Sequence, residues 1–483
     1  MSFQSLRSFL HFLQQENDLK TIDYPIDPCL EVTEVSRRVL HKDGPALLFR
    51  APKGHAYALL TNIFGSKRRI AKALGLTDSK DLRSLGEHLA FLREPIPPKR
   101  IKDALPLAST LLNLRLKRKA KPDFVEERLL HHEVDLGLMP IQTCWPKDKA
   151  PLITFGITVT KNTTGRHNLG IYRLQLLAKN KLIMRWFPHR GGALDFRDWQ
   201  SRNPGKPFPV AVVIGADPAT LLAAVAPIPN TLSEYQFAAL LRKARTEVIP
   251  ALSHDALLPA HFEWILEGFI DLKEKALEGP FGDHTGYYNE PEEHAVLTVT
   301  HMRLRQDAIY HSTYTGRPPD EPAILGEAFN EMLIPLLQKQ FPEIVDFYLP
   351  PAAASYRIAL VSIKKAYLGH ARRIMLGIWS YLPQFSYTKG IAIFDDNIDI
   401  RAGNDVIWAL ATCVDPKRDM VILENTPIDS LDFASPLEGL GSKIGIDATA
   451  KWPGETSRRW GQVIAMDEHI MKRIDDVWAQ LKL

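Results

Sequence analysis

Between Gly165 and Gly192 the chain reads GRHNLGIYRLQLLAKNKLIMRWFPHRGG. Two runs of β-forming residues, Leu169–Leu177 and Leu182–Phe187, are joined there by Ala178-Lys179-Asn180-Lys181, a polar connection suited to a hairpin. A hairpin sets its two ends side by side. Asn168, which opens the first run, is therefore expected near His189, which follows the second. Arg166, His167, Arg173 and Arg185 lie in the same stretch, which closes in His189-Arg190-Gly191-Gly192. An amide oxygen, an imidazole and several arginines at one end of a hairpin suit a phosphate held with a hard divalent cation. Composition alone also fits a basic, partly exposed hairpin with no ligand.

A chain of 483 residues is longer than one core sustains, so two or three domains are expected. Residues 1–113 alternate amphipathic helices with short apolar runs and read as an N-terminal α/β domain. Its first helix is marked by Phe3, Leu6, Phe9, Leu10 and Leu13 at helical spacing. The basic run Arg115–Lys121 is taken as a boundary, although it could also touch anionic lipid. Residues 114–314 are mostly strands: Leu152–Thr160, the hairpin, Pro207–Gly215, His294–Arg303 and Ala308–Tyr314. One intervening helix is capped by Asp217-Pro218. Many strands with few helices suggest a barrel or sandwich. Residues 315–483 alternate helix and strand, as in a doubly wound α/β unit. They end in an amphipathic helix with Ile470, Ile474, Val477, Trp478 and Leu481 on one stripe, a face expected to dock on its own domain or, by preference, on a neighbouring subunit.

Several function classes fall away. A net charge of +4 over this length does not call for nucleic acid. Cys29, Cys144 and Cys413 are far apart, which excludes a disulfide framework or a cysteine zinc site and suits a reducing compartment. No run of apolar residues is long enough to span a membrane, and the first residues lack a secretory-signal pattern. A cytoplasmic protein is expected.

Two constellations remain. Glu234 sits in the first turn of a helix opened by Thr231-Leu232-Ser233, where a carboxylate is favoured by the helix dipole with or without a metal. The segment Glu278–Tyr288, EGPFGDHTGYY, cannot continue a helix and forms a structured loop. It holds two carboxylates, Glu278 and Asp283, with His284 beside the second. Paired carboxylates in a desolvated pocket can be driven to different pKa values, one charged and one able to donate a proton. A turn whose aspartate caps its own backbone would look the same.

HNLGIYR, RWFPHRGGA, TLSEY and EGPFGDHTGYY, in this order, resemble the motifs of the UbiD family of decarboxylases, and the similarity extends over essentially the whole chain. The resemblance implies an N-terminal α/β domain, a central split β-barrel of the flavin-reductase type and a C-terminal α/β domain. It implies prenylated FMN, held through its phosphate by manganese (or magnesium), with potassium nearby. Asn168, His189 and Glu234 would be the metal ligands. Ile171, Tyr172, Arg173, Arg185, Trp186, Phe187, Arg190, Gly191 and Lys389 would hold the cofactor. Arg173, Glu278 and Asp283 would form the catalytic trio, with Asp283 as proton donor; many members have Glu at that position, one methylene longer.

The resemblance further implies a 4-hydroxy-3-polyprenylbenzoate substrate, decarboxylated in ubiquinone biosynthesis. It also implies a flavin prenyltransferase as cofactor supplier, a homo-oligomer (dimer or hexamer) and peripheral contact with the inner membrane. The apolar faces Leu333–Leu337 and Ile374–Tyr381 could form a mouth for the tail, although core packing explains both. Three other readings stay open: a relative acting on another aromatic or phenolic acid, a split-barrel FMN oxidoreductase, and a non-catalytic protein binding flavin or membrane lipid. The oxidoreductase would leave the loop carboxylates without a task.

Overall fold

The computed structural model describes residues 3–93, 110–187, 190–226, 228, 232–381 and 383–481, and is mixed α/β with three main sheets. Its first helix, Leu6–Gln15, starts at a Ser5–Ser8 capping box, and Leu6, Phe9, Leu10 and Leu13 face the core as their spacing requires. Strands β1 (Leu19–Ile22), β2 (Ala46–Phe49) and β3 (Ala58–Thr61) form the N-terminal sheet, completed from far along the chain by Ile309–His311. The basic run is less free than its composition suggests. Its β4 (Lys117–Arg118) pairs in parallel with a later strand, and Lys117 and Lys119 both bridge to Glu247.

The central sheet has nine strands. In chain order they are β5 (Glu126–Leu130), β6 (Leu152–Ile153), β7 (Ile157–Lys161), β8 (His167–Ile171), β9 (Arg173–Ala178), β10 (Lys181–Arg185) and β11 (Phe208–Ile214). Two strands of a smaller sheet, β12 (Glu247–Pro250) and β13 (Leu257–Pro259), then precede the last two, β14 (Trp264–Glu278) and β15 (Glu292–Arg305). The order β6-β9-β10-β15-β14-β11-β7-β8, with β5 on β15, leaves β6 and β8 as the ends of the path, so the sheet is a half-barrel. One apolar cluster, including Ile157, Val159, Ala211 and Val213, joins one face to the N-terminal helices. A second, including Leu174, Leu182, Val212 and Trp264, fills the other. Each valine, leucine or isoleucine among them contributes about 1.5–3 kcal/mol when fully buried.

The hairpin forms between β9 and β10, but the first of its two runs is not one strand. It turns at Tyr172 and changes partner: β8 pairs with β7, while β9 pairs with β10. Asn168 therefore lies on β8, outside the hairpin, and hairpin pairing does not carry it to the second arm.

After β16 (Ile309–His311), the helix Glu321–Gln340 leads into β17 (Ile344–Tyr348), β18 (Ile358–Ile363), β19 (Gly390–Asp395), β20 (Met420–Pro427) and β21 (Leu440–Asp447), ordered β17-β18-β19-β21-β20. The helices His370–Tyr381 and Gly403–Cys413 build separate apolar clusters with the strands, a layered α/β arrangement. Ile334, Leu337, Ile374 and Ile378 are fully buried in one of them, so these residues are core and line no mouth. Among the described residues no helix is long and apolar enough to cross a membrane. The terminal helix Glu468–Val477 and the turn that follows it leave Ile470, Ile474, Trp478 and Leu481 exposed.

Candidate active site

Arg173 opens β9 and Arg185 closes β10, and the two are register partners. Side chains from paired positions emerge on the same face of a sheet, so two guanidinium groups are forced together. Glu278 ends β14 with no exposed surface. Arg173 grips it in bidentate fashion, Nε to Oε1 at 2.7 Å and Nη2 to Oε2 at 3.2 Å, while Nη1 donates to Asp283 Oδ2 at 2.5 Å. Arg185 lies further off, 3.8 Å from Glu278 and 3.6 Å from Asp283. Two cations and two carboxylates thus balance in a buried cluster, but unevenly. Among the described residues Arg185 Nε has no hydrogen-bond partner, and burial together with the nearby Arg173 lowers the Arg185 pKa. A buried guanidinium with an unused donor is suited to an anionic ligand.

The loop carrying Asp283 is held at nearly every residue. Gln175 accepts from Gly279 N, Asn289 accepts from Phe281 N, and Asp148 accepts from Gly282 N. Gly282 has to be glycine, because a Cβ there would lie 2.2 Å from the Trp145 ring. Asp283 does cap its own turn, accepting from the His284 backbone N at 2.7 Å, and also takes His284 Nδ1 at 2.8 Å.

One expectation needs correcting here. Burial does push the Asp283 carboxyl toward its neutral form. The His284 hydrogen bonds and the Arg173 charge outweigh it and hold the group well below the usual carboxylate range. In this state Asp283 is ionised.

Two of the three expected metal ligands, Asn168 and Glu234, meet at β8. Glu234 opens the helix Glu234–Arg242, capped by Ser233, and its Oε2 accepts from Leu169 N at 3.1 Å, next to Asn168. Thr160, the register partner of Asn168, donates its hydroxyl to Asp195 at 2.5 Å, so its oxygen can only accept from Asn168 Nδ2, 3.4 Å away. That fixes the amide with Oδ1 turned toward Gly191, where a Cβ would come within 2.0 Å of it. Burial raises the pKa of Glu234 and pushes Asp195 up to about 6. A buried carboxylate, Glu234, and a half-buried one, Asp195, beside an oriented amide oxygen fit a hard divalent cation. His189 lies outside the described residues. Asp195 was not among the sequence candidates. The available signal was a carboxylate just past Gly191-Gly192, early in the helix Gly191–Arg202.

That helix suits a phosphate. Its N-cap position is Arg190, with no side-chain cap and no acid in the first turn. Gly192 N donates to the Tyr172 hydroxyl at 3.0 Å, and Tyr172 stacks edge-on to Trp186. Ile171 and Phe187 are half-buried beside them. Lys389 belongs to the C-terminal unit and bridges to Asp432 at 2.9 Å. Asp432 faces Arg357, which faces Asp429, and Asp429 lies 3.8 Å from His284 Nε2.

A buried acid beside an arginine clamp on a half-barrel suits acid–base chemistry on an anionic ligand. Three family models match in succession: the N-terminal domain of 3-octaprenyl-4-hydroxybenzoate carboxy-lyase over residues 10–89, its Rift-related domain over 115–318 and its C-terminal domain over 323–448. The chain belongs to the UbiD family, whose members are decarboxylases. It is similar to the UbiD-class enzyme HmfF from Pelotomaculum thermopropionicum in complex with FMN, at 26% identity over 98% of this chain and 99% of that one, with a TM-score of 0.79. Vanillic acid decarboxylase of Sedimentibacter hydroxybenzoicus in its closed form is 25% identical over the full length of both chains, with a TM-score of 0.82. The 3,4-dihydroxybenzoic acid decarboxylase of Enterobacter cloacae, 21% identical over 98% of this chain and 99% of that one with a TM-score of 0.79, shares the fold.

Proposed function

We propose that the protein decarboxylates a 4-hydroxy-3-polyprenylbenzoate to the 2-polyprenylphenol of ubiquinone biosynthesis, with prenylated FMN and a divalent metal. The observation that carries the chemistry is the buried Arg173–Glu278–Asp283 cluster with the under-used Arg185 beside it. Prenylated FMN, when bound, supplies the electron sink that loss of CO₂ from an aromatic ring demands and no side chain provides. Arg173, Arg185 and Arg190, the Gly191 turn, Ile171, Tyr172, Trp186 and Phe187 would hold it, with Lys389 reaching in from the C-terminal side. Asn168, His189 and Glu234 would hold manganese or magnesium at its phosphate, with potassium nearby.

Arg173 orients the substrate carboxylate and is kept in place by Glu278. Asp283 delivers the proton that replaces CO₂ on the ring carbon. Because the state described here keeps it ionised, Asp283 must first be freed from this ionic hold and take up a proton from solvent, which it then passes to the ring carbon.

The polyprenyl tail is supported by an apolar rim where the catalytic loop meets the C-terminal unit. Tyr287 and Phe433 face each other with ring centroids 6.0 Å apart, and Leu437 nearby in sequence is 62% exposed. A tail leaving there would bring the protein to the cytoplasmic face of the inner membrane as a peripheral visitor. A flavin prenyltransferase would supply the cofactor, and the exposed stripe of the terminal helix would pair with a second copy in a dimer or hexamer. A smaller aromatic acid is the second reading, favoured by relatives that act on vanillic and 3,4-dihydroxybenzoic acids. Protein co-produced with a flavin prenyltransferase should release 2-octaprenylphenol from 4-hydroxy-3-octaprenylbenzoate at least tenfold faster than it decarboxylates vanillate or 3,4-dihydroxybenzoate. The reverse preference would move the assignment to the second reading.

A further inference from the structure

We propose that His284 is the positioning residue of the catalytic acid: its imidazole clamps one oxygen of Asp283 and ties that clamp, through Asp429, to the C-terminal unit. The proposal rests on the decarboxylase reading of Asp283. His284 Nδ1 lies 2.8 Å from Asp283 Oδ1, while Arg173 occupies Oδ2. The acid is thus gripped on both oxygens, and the two grips differ in kind. Arginine never releases its proton, whereas an imidazole can change its charge near neutral pH. Adjustable control of the acid therefore lies on the His284 side.

The far side of the ring shows what sets that control. Nε2 faces Asp429 Oδ2 at 3.8 Å, and the same carboxylate oxygen accepts the Tyr356 hydroxyl at 3.1 Å and lies 3.2 Å from Arg357 Nη2. All three come from the C-terminal unit, whereas His284 and Asp283 belong to the central half-barrel. Asp320, which caps the helix Glu321–Gln340, contributes a third carboxylate to the surroundings of His284. The charged groups facing the imidazole are then Asp283 from its own loop, Asp429 and Arg357 from the C-terminal unit, and Asp320 from the helix start. Carboxylates outnumber the one guanidinium, and the His284 pKa is raised despite burial. Moving the C-terminal unit away would remove Asp429, weaken the imidazolium and loosen its hold on Asp283. The orientation and charge of the acid are in this way linked to how the two units sit against each other.

Two readouts test this. In ¹⁵N-histidine-labelled protein, the His284 ring signals are identified by their loss in His284→Gln, and their titration is compared with Asp429→Asn. The expected result is a fall in imidazole proton affinity of about tenfold in the Asp429→Asn protein, since one of its counter-charges is gone. An unchanged titration overturns the proposal whatever the substrate is. In loaded enzyme turning over 4-hydroxy-3-octaprenylbenzoate, His284→Gln removes a cation from Asp283. The alkaline limb of kcat should then move up by about one pH unit, with KM within threefold. A uniform loss of kcat with the limb unmoved would reduce His284 to packing and also overturn it. Wild-type enzyme with no turnover of that substrate sinks the substrate reading, and the titration still decides the role of His284.

Discussion

Replacing Asp283 by Asn tests the catalytic cluster most sharply, because the amide keeps the shape and loses both the charge and the acid. Two consequences follow from the geometry. Asp283 accepts a charge-assisted bond from Arg173 at 2.5 Å and another from His284 at 2.8 Å. Removing the charge while Arg173, Arg185 and Glu278 stay buried weakens both, at about 1.5–3 kcal/mol for a hydrogen bond to a charged group. In a protein with units of this size, about 2 kcal/mol lowers Tm by roughly 4–8 °C. The sign with pH is fixed by the depressed pKa of the carboxyl. Its stabilisation is present above the unfolded-state value of about 3.9 and is lost as pH falls through the lower folded value, so the deficit of the Asn protein should show at pH 7 and shrink in strong acid. For turnover, losing a positioned general acid costs about 10²–10⁴-fold in kcat, roughly 3–5 kcal/mol at 1.36 kcal/mol per tenfold. The assay pairs differential scanning fluorimetry with CO₂ release from flavin-loaded protein. Flavin content should be unchanged, because no expected cofactor contact is removed. Asp283→Glu, which restores the acid with one more methylene, should recover part of the rate. An Asn protein within threefold of wild-type kcat would refute the assignment of Asp283 as proton donor.

Other changes separate the parts of the site. Glu278→Gln leaves Arg173 without its bidentate partner and should lower kcat by at least a hundredfold while flavin is retained, checked by single-turnover kinetics. Asn168→Ala should lower divalent-metal content and flavin retention together, measured by elemental analysis and absorbance of desalted protein. Protons compete with metal for Glu234, whose pKa burial raises, so Mn²⁺ should raise Tm more at pH 7 than at pH 5. Ile470→Asp combined with Ile474→Asp puts charge on the exposed terminal stripe and should reduce the mass seen by light scattering to that of one chain.

How much of this was legible in the sequence differs by residue. The terminal and capped helices were plain, because Leu6, Phe9, Leu10 and Leu13, or Asp217-Pro218, obey local spacing and capping rules that need no partner. The long strand β14 was missed: its second half alternates with Asp271, Lys273 and Lys275 on an exposed face, and Glu267 is buried within its first half. The turn at Tyr172 was also invisible, since Leu169–Leu177 has the composition of one strand and only pairing with β7 and β10 divides it. At the site, Arg173, Glu278 and Asp283 were legible as motif residues and are joined by hydrogen bonds in the fold. The charge state of Asp283 was not, because it depends on Arg173 reaching it from β9 and on the ring of the adjacent His284 turning back onto it. Asp195 was hidden for a similar reason: its importance comes from Thr160, across the strand from Asn168.

The most direct test of the central claim is the mass of the cofactor released from protein co-produced with a flavin prenyltransferase, with metal analysis of the same sample. The account predicts prenylated FMN together with about one manganese or magnesium ion per chain. Plain FMN, or no flavin, despite an active prenyltransferase would contradict it.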